Sequence, residues 1–365
     1  MTPTTKRRDG RTQVEIREPA QLISAIPCLL GFRPADAIVL IGLGGETGHD
    51  IDVLVRLDLP GAEAEVDVAE TVTLALSQSP GRTVLLVVVG RHPDHPANGA
   101  SPPHRDLVER LAACVRSVGC TAEFAAWVPE IRGGARWHTY WPSAADGEGV
   151  LPDESSTVIA AVRAVEGHVT FESREEMARQ LQPDVPAALD RRAQLLRAAA
   201  DALSPEFPPE QTFPEYARVV RAAIDRVRRG ELSFTDDQVV RLAMALSNPQ
   251  VRDSCLLLAL PPRRALSRHA QRLWLELVRL TPAPERAEPA ALLGHSAYMH
   301  GDGPLALVAF DNALEANPGH YLTTLLRACL ERGVPPVRLH RLNEGVQDLY
   351  RPRSLTLEPS SQNDP

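Results

Sequence analysis

The chain of 365 residues contains one lysine, Lys6, although lysine and arginine together number 39. Several enzyme mechanisms depend on a positioned lysine. They include the phosphate-binding loop of the G-x-x-x-x-G-K type, protein kinases, Schiff-base enzymes that use pyridoxal phosphate, and S-x-x-K acyl enzymes. Because Lys6 lies in a polar N-terminal stretch, the sequence argues against these chemistries and against any lysine-dependent cofactor such as pyridoxal phosphate.

Cysteine pairs and long apolar runs are also missing. The five cysteines form no C-x-x-C pair, which argues against a disulfide framework and against a structural zinc site. The longest apolar runs, such as Val84–Val89 and Cys255–Leu260, are far shorter than the about 18 residues of a membrane helix. Met1–Arg11 lacks the apolar core of a secretory signal. We therefore expect a cytoplasmic protein that does not bind membranes.

Charge and motif content exclude further classes of function. The formal net charge of −8 argues against bulk attraction to nucleic acid. The chain has no G-x-S-x-G nucleophile motif and no H-E-x-x-H zinc motif. The glycine-rich segment 42–48 lacks the spacing of a dinucleotide-binding loop and is followed by an extended segment, so it indicates a hairpin turn. No cofactor is predicted, and no catalytic residue is identified.

Hydrophobic periodicity predicts an α/β region followed by an all-α region. Ile38–Ile41, Ile51–Leu59 and Thr83–Val89 are extended and apolar, and they alternate with amphipathic helical segments. After Asp153 the helical period dominates. We therefore expect four parts: a disordered tail at residues 1–19, an α/β domain with a mixed sheet at 20–152, a helical domain at 153–351, and a disordered tail at 352–365.

One helical pair, near residues 288–333, has the spacing of a tetratricopeptide-type hairpin, which usually binds other proteins. Gly294 is small where two helices must approach closely, and Phe310 is large enough to fill the gap between them. A shift of the pattern by 34 residues in either direction finds no second copy. The pair is therefore either a hairpin within an ordinary helical domain or part of a degenerate repeat array with a usable groove. In the second case Leu293, Asp302 and Phe310 mark the candidate partner-binding region.

A loop after the strand predicted at Thr83–Val89 offers a different kind of site. It contains His92, Asp94, His95 and, further along, His104. Ligands of α/β sheets favour loops at the carboxyl ends of strands, and histidines there can ligate a metal or exchange protons near neutral pH. The alternative is a solvated surface loop. We predict no metal, and His92, His95 and His104 would be the ligands if one bound.

Two residues of the preceding strand are neighbours on one face of the sheet. Arg56 and Asp58 are two positions apart, and side chains on a strand alternate between faces. They form either a structural ion pair or, together with His92 and Asp94, a ligand-binding site.

Several segments together resemble one family. They are Leu30–Pro34 (L-G-F-R-P), Arg56–Pro60 (R-L-D-L-P), Ser173–Glu176 (S-R-E-E), and Gly301-Asp302-Gly303 followed by Ala306, Asp311, Ala313, Leu314, Asn317 and Pro318. The combination resembles the actinobacterial domain-of-unknown-function family 4192, from about Ala20 to Pro336. The resemblance implies a cytoplasmic bacterial protein of this two-part layout, and it brings no activity, substrate or catalytic residue.

Two functions remain to be compared. The first is a non-enzymatic protein whose helical half binds an unidentified protein partner. The alternative is a hydrolase or a nucleotide- or metal-handling enzyme, with its site at the strand ends near Arg56, Asp58, His92 and Asp94.

Overall fold

The chain divides into two compact units. In the computed structural model, the first unit comprises Met1–Met177 with Glu331–Val334, and the second comprises Ala178–Leu330 with Pro335–Pro365. The first contains the sheet and the second is helical, so the predicted fold class is confirmed. The structure describes residues 5–8, 11–14, 18–44, 50–60, 65–77, 81–92, 102–141, 147–165, 169–202, 209–260, 264–336 and 338–339.

The first unit contains a six-stranded mixed sheet and a separate two-stranded pair. In chain order the strands are β1 (Thr5–Arg8), β2 (Arg11–Val14), β3 (Ala37–Gly44), β4 (Asp50–Asp58), β5 (Thr83–Val89), β6 (Thr121–Val128), β7 (Arg136–Thr139) and β8 (Glu148–Val150). β1 pairs with β2, and the large sheet has the order β4-β3-β5-β6-β7-β8. β5 and β6 run parallel, whereas β3 is antiparallel to β4 and β5, and β7 is antiparallel to β6 and β8.

The helices that begin in the first unit are α1 (Pro19–Leu30), α2 (Glu65–Ser77), α3 (Arg105–Ser117), α4 (Val158–Val165) and α5 (Arg174–Arg179). α3 connects β5 to β6, because parallel neighbours need a crossover rather than a tight turn. The antiparallel pairing of β3 with β4 agrees with the hairpin predicted from the glycine-rich segment. The turn itself, at residues 45–49, lies outside the described residues.

The central strands of the sheet are buried on both faces. Ile38 and Leu40 point to one face, where they share a core with residues of β5, α2 and α3. Val39 and Ile41 point the other way and are equally buried. β5 is apolar at every position from Val84 to Val89 because it is a central strand with both faces covered, as its sequence predicts.

The second unit is built from α6 (Pro186–Ala202), α7 (Pro209–Arg228), α8 (Asp236–Ser247), α9 (Pro249–Leu256), α10 (Arg264–Leu280), α11 (Ala287–Met299), α12 (Gly303–Ala316) and α13 (Tyr321–Glu331), whose last residue belongs to the first unit. Local signals begin several of them. Thr235 and Gln238 form a reciprocal capping box at α8. Among the helices of the described ranges, none is long and apolar enough to cross a membrane.

The structure differs from the sequence expectation at the N-terminus. The segment 1–19, expected to be disordered, contains β1, β2 and the first residue of α1. α1 itself is absent from the sequence prediction. It is buried at nearly every position from Ile23 to Leu30, so its apolar residues show no helical period, and Pro27 lies inside it.

The first unit also extends past residue 152, where the sequence places the domain boundary. Residues 153–177 belong to it because they are tied to the segment after α1. Phe32 forms a parallel backbone bridge with Phe171, and Arg33 binds Glu154 and Glu172. The C-terminal segment 352–365 lies outside the described residues.

Candidate functional site

The loop after β5 brings two of the predicted histidines together. The rings of His92 and His104 meet edge to face, with their centroids 5.5 Å apart. Burial, with a smaller contribution from His92, lowers the pKa of His104 below its ordinary value. Asp94 and His95 lie outside the described residues. Within the described ranges, no group of three or more histidine, cysteine, aspartate or glutamate side chains is placed to hold a metal.

Buried aromatic side chains anchor this loop at both ends. The indole Nε1 of Trp127 donates to the carbonyl of Gly90 at 2.9 Å, and the hydroxyl of Tyr140 donates to the carbonyl of Pro103 at 2.6 Å. Gly90 also packs closely on Asp36, since a Cβ at this position would be 3.1 Å from its carboxylate oxygen. These contacts hold the backbone in place at the end of β5 and before α3.

Arg56 and Asp58 form an ion pair at the end of β4. Their Nη1 and Oδ1 atoms are 2.5 Å apart, and Nη2 of Arg56 donates to the carbonyl of Ala35 at 3.3 Å. The second contact ties β4 to the segment that leads into β3. This geometry fits the structural ion pair, which is one of the two sequence interpretations.

The pair points to the face of the sheet that α3 does not cover. Leu57 packs into the core formed with α2 and α3, so its neighbours Arg56 and Asp58 point to the opposite face of the sheet. His92 lies instead against His104, at the start of α3, which covers the other face. Arg56 and Asp58 therefore lie on a different face of the sheet from α3, and Asp94, the fourth predicted residue, lies outside the described residues.

Arg33 forms a cluster of charges that the sequence does not reveal. Its side chain is 12% exposed, and its two terminal nitrogens donate to both carboxylate oxygens of Glu154, at 2.7 and 2.8 Å. It also donates to the carbonyl of Ile131, while Glu172 binds both Arg33 and Arg132. Burial lowers the pKa of Arg33, but its bonds to Glu154 and Glu172 outweigh burial and raise the pKa overall. Arg33 and Arg132 lower the pKa of Glu172.

An open cleft of about 460 Å³ lies beside this cluster, next to the turn that follows β6. It is lined by Arg33, Arg132, Gly133, Gly134, Asp153 and Glu154. The cleft is thus close to a strand end, where the enzyme hypothesis predicts a site, but its lining residues differ from the predicted ones. Because carboxylates and a carbonyl already occupy the guanidinium of Arg33, the cluster acts first as a junction between segments.

Two of the segments that carry the family resemblance meet at this junction. Gly31, with φ of 75°, closes α1, and a Cβ there would lie 2.9 Å from the terminal methyl of Met177. Ser173 accepts a hydrogen bond from the amide of Glu176 at 3.1 Å and so caps α5. Helix termination, helix capping and close packing therefore account for the residues found in these two segments.

In the second unit, Gly294 and Phe310 set the distance between α11 and α12. A Cβ on Gly294 would lie 2.4 Å from the ring of Phe310, so only glycine fits without displacement of the ring. The close approach inferred from the sequence is present. Asp302 caps α12, because its Oδ1 accepts from the amide of Leu305 at 3.2 Å.

The predicted partner-binding region needs correction. Leu293 and Phe310 are both 0% exposed, so a partner cannot contact them in the folded protein. The pattern that singles them out is a packing pattern between helices, and packing removes side chains from the surface. Asp302 is partly exposed, and the part of its carboxylate that caps α12 is engaged.

One polar network resembles the hydroxyl, imidazole and carboxylate series of acyl-transfer enzymes. Thr323 Oγ1 is 2.6 Å from Nδ1 of His320, and Nε2 of His320 is 3.3 Å from Oε2 of Glu288. Thr323 is 0% exposed, so its hydroxyl is closed to a substrate. The amide of Thr323 also donates to Nδ1 of His320, which identifies His320 as a cap at the start of α13.

α13 is apolar on two opposite sides. Thr323 and Leu326 face the interior of the second unit. Tyr321 and Leu325, one turn apart, face outward and are 79% and 49% exposed. Few other large apolar side chains among the described residues are exposed to solvent. No catalytic or ligand motif marks this surface, so motif reading passes over it.

The architecture defines an α/β sheet unit joined to a helical unit that contains a close-packed helical hairpin. The family described as Domain of unknown function (DUF4192) matches residues 19–337. The chain belongs to this family, in agreement with the resemblance inferred from its sequence segments. No curated protein and no solved structure gives a significant match.

Proposed function

We propose that this chain is a non-enzymatic protein that binds another protein through α13. The observation that carries the proposal is the exposed apolar side of α13, with Tyr321 and Leu325 pointing outward while Leu326 is buried. An apolar side of a helix is normally covered, and exposed apolar patches mark interaction sites. The surface is on the helix that directly follows the tetratricopeptide-like pair α11 and α12.

The proposal includes a setting for this function. The resemblance of the chain to actinobacterial members and its composition support a bacterial protein that acts in the cytoplasm. The test below therefore uses the organism that encodes the sequence.

The enzyme alternative has less support. The cleft beside Arg33 and the contact of His92 with His104 both lie near strand ends. However, Arg56 and Asp58 point to the other face of the sheet, and Arg33 is engaged by Glu154 and Glu172. A hydrolase or nucleotide-handling site would need acid, base and binding groups directed into one pocket.

The proposal is tested with a surface variant that keeps the fold. Affinity capture from the native host compares the wild type with the double variant Tyr321→Glu, Leu325→Glu. Leu195→Glu is the matched control, because Leu195 is an exposed leucine on α6 of the same unit. Captured proteins are identified, purified and measured for direct binding.

We expect at least one purified protein that binds the wild type and Leu195→Glu, and that binds the double variant at least about tenfold more weakly. The proposal fails if every captured protein binds the double variant as tightly as the wild type.

A further inference from the structure

We propose that the partner presents an α-helix with an aromatic residue, and that this helix packs on α13 as α12 packs on α11. The inference rests on the proposed function and specifies the partner by its chemistry. It is argued from the correspondence between two helices of the same unit.

α11 and α13 begin 34 residues apart, at Ala287 and Tyr321, which is the tetratricopeptide period. With this shift, the outward side of α13 corresponds to one side of α11. Ala287, Ala291 and Gly294 share a face because they are spaced by four and three residues. The equivalent residues of α13 are Tyr321, Leu325 and Ala328.

That face of α11 is the one that receives α12. Gly294 faces the ring of Phe310, and Ala287 and Ala291 are buried with it. The equivalent face of α13 is more open to solvent than that of α11: Tyr321 and Leu325 are exposed, and Ala328 is partly exposed. α13 therefore presents to solvent the surface that α11 uses to bind a helix.

The side chains on α13 indicate what the incoming helix carries. Ala328 stands where Gly294 makes room for Phe310, so a small residue again leaves space for an aromatic ring. Leu325 is larger than its equivalent Ala291. Because the two helices run antiparallel, the incoming helix needs a small residue one turn after its aromatic residue, as Ala313 follows Phe310 in α12.

Other segments of this chain fit the face less well. One period after α12, the chain has Glu344 in place of Phe310 and Gln347 in place of Ala313, so it lacks both the aromatic and the small residue. α12 has the required pattern, but it is already packed on α11, so a second copy of the chain does not have it free. These observations favour a helix from a different protein.

A peptide with the sequence of residues 302–317 serves as the probe, because it carries the pattern of α12. A cross-link between positions 311 and 315 holds it helical, since a free helix of this length is only marginally stable in water. The labelled peptide is titrated with the full-length chain and followed by fluorescence anisotropy. We expect saturable binding, which weakens at least about tenfold when the peptide carries Phe310→Ala.

A substitution in the chain tests the position of the aromatic ring. Ala328→Phe fills the space on α13 and should weaken binding of the peptide at least about tenfold. Ala198→Phe is the matched control, because Ala198 is an exposed alanine on α6, and it should leave binding unchanged.

Absence of peptide binding, or binding that is insensitive to both Phe310→Ala and Ala328→Phe, overturns the inference. The inference is also overturned if the peptide binds more tightly to a chain that ends at Leu339. In that case the residues after Leu339 would themselves cover this face of α13. A captured protein that depends on Tyr321 and Leu325 but is unaffected by Ala328→Phe would leave the proposed function standing without this inference. If no protein depends on Tyr321 and Leu325, the proposed function itself fails.

Discussion

Gly294 shows how one residue determines the geometry of a helix pair. Because Gly294 has no side chain, the ring of Phe310 can pack against its backbone, and a Cβ added at Gly294 would be only 2.4 Å from that ring. Gly294→Ala therefore forces the ring or the helices to move, and we expect a loss of about 1–3 kcal/mol in the free energy of unfolding. Chemical denaturation followed by circular dichroism measures it.

Gly303 provides the control for this substitution. A Cβ at Gly303 would meet only a methyl group of Leu330 at 3.9 Å, so Gly303→Ala should be neutral or slightly stabilising. Equal stability of the two alanine variants would show that Gly294 is not confined by Phe310.

His295 gives the second unit a dependence on pH. It is buried within α11, and this burial, together with nearby His300, lowers the pKa of His295 to about 4. In the unfolded chain the pKa is near 6.5, so between the two values the unfolded state binds a proton that the folded state does not. The contribution is absent above pH 6.5, and stability falls as the pH decreases toward 4. The expected loss from pH 7 to pH 5 is about 2 kcal/mol.

Urea titrations at pH 7 and pH 5, followed at 222 nm, test this expectation. His295→Gln should lose less stability between the two pH values than the wild type. Leu195→Gln, a change at an exposed position of α6 in the same unit, should leave the pH dependence as it is. The same pH dependence in His295→Gln as in the wild type would refute the assignment.

Arg33 is expected to matter for stability more than any surface arginine in the first unit. Arg33→Met leaves the carboxylate of Glu154 and the carbonyl of Ile131 without their donor, and we expect a cost of about 3 kcal/mol. Arg91→Met removes the exposed pair with Glu130 and should cost less than about 1 kcal/mol.

Tryptophan fluorescence during thermal unfolding can compare these two variants. Three of the four tryptophans, Trp127, Trp137 and Trp141, lie in the first unit. If the two substitutions lower the unfolding temperature equally, the buried contacts of Arg33 contribute no more to stability than the exposed pair of Arg91.

The residue pairs were predictable only where they are close in the sequence. Arg56 with Asp58 follows from strand alternation, and the spacing of a helical hairpin places Gly294 near Phe310. Arg33 and Glu154 are 121 positions apart, and no local pattern connects them. The same limit explains the error at Leu293 and Phe310, because a packing pattern identifies contacts but not whether a surface remains free.

At the scale of the element, α13 differs between its two sides. Leu326→Ala should cost about 2–5 kcal/mol, because Leu326 is buried in the second unit. Leu325→Ala, the neighbouring position on the outward side, should change stability by less than about 0.5 kcal/mol. Thermal or urea unfolding of both variants measures these changes in stability. A similar loss for both would mean that the outward face is already covered.

Regular elements could be predicted where their period is distinct. β5 has the bounds expected from its continuous apolar run, and β3 pairs with β4 as the hairpin interpretation requires. α1 could not be predicted, since a helix buried on nearly all sides gives no alternation of polar and apolar residues. β1 and β2 lie in a polar segment that resembles an unstructured tail.

At the scale of the whole molecule, the net negative charge predicts that nucleic acid is not a partner. With a formal net charge of −8, the chain should repel the phosphate backbone at long range. We expect no binding of a 30-base-pair duplex at up to about 10 μM protein in 0.15 M salt, measured by gel shift. Binding at this concentration that weakens steeply with salt would reveal a localised basic surface and contradict the expectation.

Composition and periodicity along the chain were enough to predict the two-part fold class, the membership of the DUF4192 family and the hairpin of α11 and α12. These properties depend on composition and on periods that are read along the chain. The tertiary structure was needed to show that Arg33 binds Glu154 and that α13 has an exposed apolar side. The physical reason is that burial and contact depend on which segments pack together, and segments distant in sequence leave no local pattern of that packing.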